Sequence, residues 1–221
     1  IIVNQYERGE HSFGYYTPEA GVNKTEKPAT SYLADYSITE SNVIIAHVRQ
    51  STIGAVNKKN AHPFKTGNIV SVHNGTLSNH YELFREYGIE PAKWDVDSEI
   101  FSIALNKDKN PEIFSKVKGA MAVVFADVTK PNTIYVYRND DRPLYYGYID
   151  GDMYISSLPE TLSIISCIDI EPFAIETLYT IRNGKITNKK DIVNFGEYYS
   201  KNIYNYYSSA NTTSNIKSYK A

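Results

Sequence analysis

Between Ile44 and Thr76 the chain packs one arginine, three histidines and an Asn-Gly pair into about thirty residues. Arg49 ends an apolar run, Val43 to Val48, that is short enough for a buried strand. A guanidinium there needs a partner, because an unpaired buried charge is expensive. Two roles answer that need: a structural ion pair, or a bidentate clamp on a substrate carboxylate. Asn74-Gly75 closes a second apolar run, Ile69 to His73. By itself the dipeptide signals a type I′ hairpin turn. Chemically it also offers an oxyanion hole, an Asn side-chain amide beside a Gly N–H that a tetrahedral oxyanion approaches with no Cβ in the way. Asp97, in Val96-Asp97-Ser98-Glu99, stands at the head of a helical pattern, where capping is the ordinary role.

Other chemistries find less in the sequence. Cys167 is the only cysteine and sits in Ile164-Ile165-Ser166-Cys167-Ile168, an apolar setting that reads as buried packing. The chain has no GxSxG elbow, P-loop, CxxC or Rossmann glycine fingerprint. His11, His47, His62, His73 and His80 lack the spacing of a zinc motif, so no metal is expected. A serine hydrolase would need a base within hydrogen-bond reach of Ser12 or Ser51. The net charge of −2 gives no case for nucleic acid or an anionic membrane. No apolar run approaches the roughly 18–20 residues of a membrane span, and nothing reads as a signal peptide. One cysteine excludes an internal disulfide and fits a cytoplasmic setting.

These residues need strands and turns to hold them. Ser12 to Thr17, Val43 to Val48 and Ile69 to His73 read as strands, and residues 18–30 as a surface loop. Ser78 to Tyr87 and Asp97 to Leu105 have helical spacing, with Ser78 an N-cap for the first and Asp97 or Ser98 for the second. Further strands follow at Ala120 to Val128, Thr133 to Tyr137, Leu144 to Ile149, Met153 to Ser156, Leu178 to Arg182 and Lys185 to Thr187. Asp150-Gly151 and Asn183-Gly184 supply hairpin turns, and Pro159 to Ser166 a helix. Antiparallel strands with a few helices make an α+β fold with two sheets face to face. Residues 1–197 form the domain; residues 198–221, with six tyrosines, no acid and little aliphatic content, form a flexible tail.

The order of the motifs resembles the glutaminase domain of class II, N-terminal-nucleophile glutamine amidotransferases. Val72-His73-Asn74-Gly75-Thr76 is similar to that family's strand-ending HNG motif, which tips Asn74-Gly75 toward the oxyanion hole. His47-Val48-Arg49-Gln50-Ser51-Thr52-Ile53-Gly54 resembles its HxRxxTxG segment, with Gln50 and Ile53 departing from the usual residues. Val96-Asp97-Ser98-Glu99 resembles (S/T)D(T/S)E, and Arg8-Gly9-Glu10-His11-Ser12-Phe13-Gly14 its RGxDSxG turn, with His11 in place of Asp. Asn60-Ala61-His62-Pro63 matches a structural NAHP segment. Lys118 to Ala122, Tyr137 to Leu144 and Ser156 to Thr161 complete the series.

The resemblance implies a four-layer αββα sandwich of two antiparallel sheets, as in Ntn hydrolases. It implies Arg49 on the α-carboxylate of glutamine with Thr52 beside it, Asp97 on the ammonium, Asn74 and Gly75 at the oxyanion, and Arg8 and His73 in support. It implies hydrolysis of the side-chain amide to glutamate and ammonia for transfer to an acceptor, and no organic cofactor. The partners expected are L-glutamine and an acceptor-enzyme subunit in trans, with homo-oligomerisation left open. The family's nucleophile is a Cys at the mature N-terminus, ahead of the Arg8 turn, whereas this sequence opens Ile1-Ile2-Val3. A leading segment that carries it is therefore expected to be missing from this sequence; the alternative is a pseudoenzyme that keeps the fold to bind a ligand or a protein.

Overall fold

The structure is a computed structural model, and it describes residues 9–50, 54–90, 94–108 and 111–195. Residues 1–8, with Arg8 of the expected turn, and the tail at 198–221 lie outside the described residues. In chain order the elements are β1 (Ser12–Thr17), β2 (Gly21–Thr25), α1 (Ala29–Asp35), β3 (Ile45–Arg49), β4 (Phe64–Thr66), β5 (Ile69–Leu77), α2 (His80–Glu86), α3 (Glu99–Lys107) and α4 (Ile113–Lys116). They continue with β6 (Gly119–Asp127), β7 (Thr133–Arg138), β8 (Tyr145–Ile149), β9 (Asp152–Ser156), α5 (Pro159–Ile164), β10 (Ile168–Pro172), β11 (Thr177–Arg182) and β12 (Lys185–Asp191).

A six-stranded antiparallel sheet, ordered β12-β11-β7-β6-β5-β4, is the spine of the molecule. Strand β6 shows why it is central. Met121, Val123 and Phe125 pack with α2, α3 and α4, while Ala122, Val124 and Ala126 face the opposite way. A run without polar residues is what a strand covered on both faces requires. Helix α3 likewise buries every residue from Ile100 to Leu105, wedged over β4 and β5.

The second sheet layer is divided. Strands β2-β1-β3 form one three-stranded sheet and β10-β8-β9 another, both on the same face of the six-stranded sheet. The first packs Tyr16 and Ile45 against Val70, Val72 and Ala126. The second packs Tyr146, Met153 and Ile155 against Val136 and Ile181. Outside them α1 covers Phe13, Tyr15 and Val48, and α5 covers β8, β9 and β10. The result is the expected αββα layering, with one layer in two pieces.

Several local expectations are corrected. Residues 18–30 hold β2 and the start of α1, because β2 (GVNKT) takes its order from pairing with β1 rather than from any apolar alternation of its own. Strands β4 and β10 and helix α4 are too short to show a period. The strand expected over Ile69 to His73 is longer: β5 runs on through Asn74-Gly75 to Leu77 without a hairpin, with Asn74 opposite Ala122 and Gly75 opposite Met121. Ser78 does not cap α2, since its hydroxyl donates to the Lys118 carbonyl at 3.2 Å. The Asp150-Gly151 and Asn183-Gly184 turns do form, with φ of 52° and 90° and of 48° and 69°.

Candidate functional site

Strand β3 alternates, so Ile45, His47 and Arg49 point to one side, toward the six-stranded sheet, while Ala46 and Val48 point to α1. On β5 the same period sends Val72 and Asn74 to meet them. A cavity of about 1080 Å³ opens there, lined among others by Arg49, His73, Asn74, Gly75 and Asp97. Five of the predicted site residues thus converge; Arg8 and Thr52 lie outside the described residues.

Arg49 is 4% exposed, and its Nη1 donates to the Ala55 carbonyl at 3.4 Å. Asn60, from the NAHP segment, donates to the same carbonyl at 3.0 Å, so it props the loop against which the guanidinium rests. Burial lowers the pKa of Arg49 while the charge of Asp97 works against that shift. Gly9 packs so close to the Arg49 backbone that a Cβ would collide with it, at a φ of 156°, which fits the main-chain bond from His11 N–H to the Arg49 carbonyl.

Asp97 is 5% exposed, just ahead of α3. Its Oδ2 accepts the Leu77 N–H at 2.8 Å, and Ser98 Oγ lies 3.3 Å from Oδ1. Ser98 occupies the N-cap position without a side-chain capping bond, which corrects the expected capping role. Its hydroxyl instead stands 2.8 Å from His73 Nδ1. Gly75 has a φ of 150°, and an added Cβ would strike the Ala120 carbonyl, so this position in β5 admits only glycine without strain. Asn139 secures the neighbouring strand, taking the Met121 N–H at 3.0 Å and donating to the Gly119 carbonyl at 2.7 Å.

Sequence reasoning missed other parts of the wall. The rings of His47 and His62 meet at 4.1 Å between centroids, tilted by 36°, and both line the cavity. His62 is 4% exposed, and among the described residues neither of its ring nitrogens has a hydrogen-bond partner, nor does Nδ1 of His47. Burial keeps both rings neutral, holding His47 down at about 3 and His62 well below the ordinary histidine range. The period-two spacing of His47 and Arg49 could have revealed the first. Arg142 lines the cavity too, with Nη1 on the Asp141 carbonyl at 2.8 Å, and nothing in its local sequence marks it. The far wall is β9, from Asp152 to Ser156, contributed by a segment more than a hundred residues after β3. Among the described residues no group of three or more His, Cys, Asp or Glu is disposed to hold a metal ion, and no helix is long and apolar enough to cross a membrane.

Residues 47–164, over half the chain, match the family described as the glutamine amidotransferase domain. Glutamine–fructose-6-phosphate aminotransferase (isomerizing) of Thermococcus kodakarensis is 37% identical over 133 residues, covering 53% of this chain and 22% of that protein. The enzyme of that name from Rhizobium meliloti is 33% identical over 150 residues, or 62% of this chain and 23% of its own. The 7-cyano-7-deazaguanine synthase 2 of Sulfurisphaera tokodaii is 28% identical over 215 residues, or 86% and 46%. The chain thus spans less than half the length of these curated relatives. Glutamine phosphoribosylpyrophosphate amidotransferase of B. subtilis shares the fold with a TM-score of 0.68 at 18% identity, covering 86% of this chain and 44% of that one. A class II glutamine aminotransferase domain protein of Silicibacter pomeroyi does so with 0.52 at 19% identity, covering 82% and 91%.

Proposed function

The chain belongs to the class II glutamine amidotransferase domain family, and from that premise we propose that its cavity binds free L-glutamine for hydrolysis of the side-chain amide to glutamate and ammonia. The observation that carries this reading is the convergence of Arg49, Asp97 and the Asn74-Gly75 pair on one cavity from separate elements. A buried cation and a buried carboxylate in one pocket suit the carboxylate and ammonium of a zwitterion. That pairing selects a free amino acid over a residue inside a peptide. With both ends held, the side-chain amide reaches toward the Asn74 amide and the Gly75 N–H, the donors for the oxyanion.

In this reading an N-terminal cysteine supplies the thiol and its own α-amine the base, since an α-amine titrates near pH 7.7–8.0. The sulfur bonds to the amide carbon, whose π electrons move to oxygen; the thiol proton passes through the amine to the leaving nitrogen, and ammonia departs. Water then cleaves the thioester, giving glutamate and the free thiol. Cys167 does not fit the role: it is buried, burial pushes its thiol pKa up, and it does not line the cavity. The shape of the cavity supports a strand-borne nucleophile. It runs between β3 and β9, which pair only with β1 and β8 among the described strands, so each turns a free edge toward it. Pockets for drug-sized ligands measure roughly 300–1,000 Å³, so one amino acid leaves room in this cavity for an extended segment.

The ammonia acceptor would be bound by a further domain or a separate subunit; the relatives named for amination of fructose-6-phosphate support such a coupling. A pseudoenzyme that binds glutamine without turnover is the second reading, favoured by the position of the only thiol in these 221 residues, away from the cavity. Calorimetry tests the site: L-glutamine binds the wild type, and Arg49→Ala or Asp97→Ala abolishes the heat. Equal affinity in those variants would overturn the assignment. Ammonia release by protein made from its complete reading frame separates the two readings, since turnover supports the first and binding without turnover the second.

A further inference from the structure

Asp97, Ser98, His73 and Ala120 form one buried chain of polar contacts beneath Gly75. Ser98 Oγ lies 3.3 Å from Asp97 Oδ1 and 2.8 Å from His73 Nδ1, and His73 Nε2 lies 3.3 Å from the Ala120 oxygen. A carbonyl can only accept, so Nε2 carries the ring proton. Burial lowers the pKa of His73, and a neutral ring protonated at Nε2 leaves Nδ1 bare. The Ser98 hydroxyl has a single proton and two acceptors that want it, an imidazole nitrogen and a carboxylate oxygen. The ring end of the chain bears on the Asn74-Gly75 pair of β5: a Cβ on Gly75 would fall 2.6 Å from His73 Nε2 and collide with the Ala120 oxygen.

We propose that Ser98 is a positioning residue that couples the carboxylate of Asp97 to the Asn74-Gly75 pair of β5 through His73. When a ligand ammonium pairs with Asp97, the carboxylate no longer competes for the hydroxyl proton. Ser98 then donates wholly to Nδ1, the ring is fixed, and its Nε2–H holds the Ala120 carbonyl behind Gly75. An amide with no α-ammonium leaves the competition in place and the Asn74-Gly75 backbone less firmly held. This rests on the reading of Asp97 as the ammonium site.

Imidazole ¹⁵N spectra of the 221-residue chain test it, because a bare ring nitrogen shifts on accepting a hydrogen bond. Without ligand, Asp97→Asn weakens the competing acceptor and moves the His73 Nδ1 resonance toward the hydrogen-bonded position. In a Ser98→Ala background Nδ1 takes the position of an unbonded nitrogen, and Asp97→Asn no longer moves it. The same displacement with and without Ser98 overturns the coupling. In the wild type, which needs no folded variant, L-glutamine moves Nδ1 as Asp97→Asn does, whereas glutaramate, the same molecule without its α-amine, does not. Equal displacement by both ligands overturns the proposal. If glutamine perturbs no cavity resonance, the ligand step and the proposed function fail together, while the ligand-free comparison still decides the coupling.

Discussion

The main-chain N–H of Leu77 donates to Oδ2 of Asp97 at 2.8 Å, tying the end of β5 to the start of α3. One carboxylate thereby anchors the strand that carries Asn74 and Gly75 and offers its charge to the cavity. The two duties separate by substitution. Asp97→Ala leaves the Leu77 N–H buried without its partner, a loss of about 1–3 kcal/mol in stability. Asp97→Asn keeps an acceptor for Leu77 and removes the charge. Urea unfolding is expected to show the larger loss for Ala, and calorimetry to show glutamine binding lost in both. Unchanged stability in Asp97→Ala would contradict the anchoring role.

Gly75 sits opposite Met121 in the β5–β6 ladder at a φ of 150°. In Gly75→Ala the strained backbone and the collision with the Ala120 carbonyl each contribute about 1–3 kcal/mol, so stability falls on the order of 2–6 kcal/mol. Gly151→Ala, in a turn with open space around it, lacks the collision and serves as the control. Equal shifts of the two unfolding midpoints would remove the argument for close approach at Gly75.

Much of this was legible because period-two patterns survive local reading. The strands β1, β3, β6, β7, β8, β9 and β11 and the helices α2, α3 and α5 all lie where apolar spacing and turn residues put them. The polar strand β2 and the three-residue β4 were not legible, since pairing partners rather than their own residues order them. At the candidate site, Arg49, Asp97, Asn74 and Gly75 were singled out through motifs, and each lines the cavity. The wall made by β9 and Arg142 was not, because only tertiary packing brings residues so distant in sequence to β3. Ser98 was misread as a cap because its tie to His73 spans 25 residues.

Asn60 does not line the cavity, yet it shares the Ala55 carbonyl with Arg49, at 3.0 Å against 3.4 Å. Asn60→Ala removes one hydrogen bond of about 1 kcal/mol and frees the loop that backs the guanidinium. Glutamine affinity is expected to drop about fivefold to tenfold, in keeping with roughly 1–1.4 kcal/mol. Calorimetry beside Arg49→Ala checks this, and an affinity equal to wild type would show that the loop does not position the arginine.

Acid should unfold this domain earlier than its charge alone implies. His47, at about 3, and His62, well below the usual range, stay neutral in the folded state, whereas in the unfolded chain both take protons below about pH 6.5. The unfolded state therefore binds more protons, and stability present above pH 6.5 is lost as pH falls toward the folded values. Glu99 works the other way. Burial raises it to about 7, so the folded state gains a proton that the unfolded chain takes only near 4.5. A single carboxyl offsets at most one proton. Averaged between pH 6 and 5 about one net proton remains, roughly 1.4 kcal/mol per pH unit. Urea midpoints across that range should fall steadily in the wild type and more gently in His62→Gln. A flat profile, or one unchanged by that substitution, would mean that the two imidazoles take up protons while the domain is still folded.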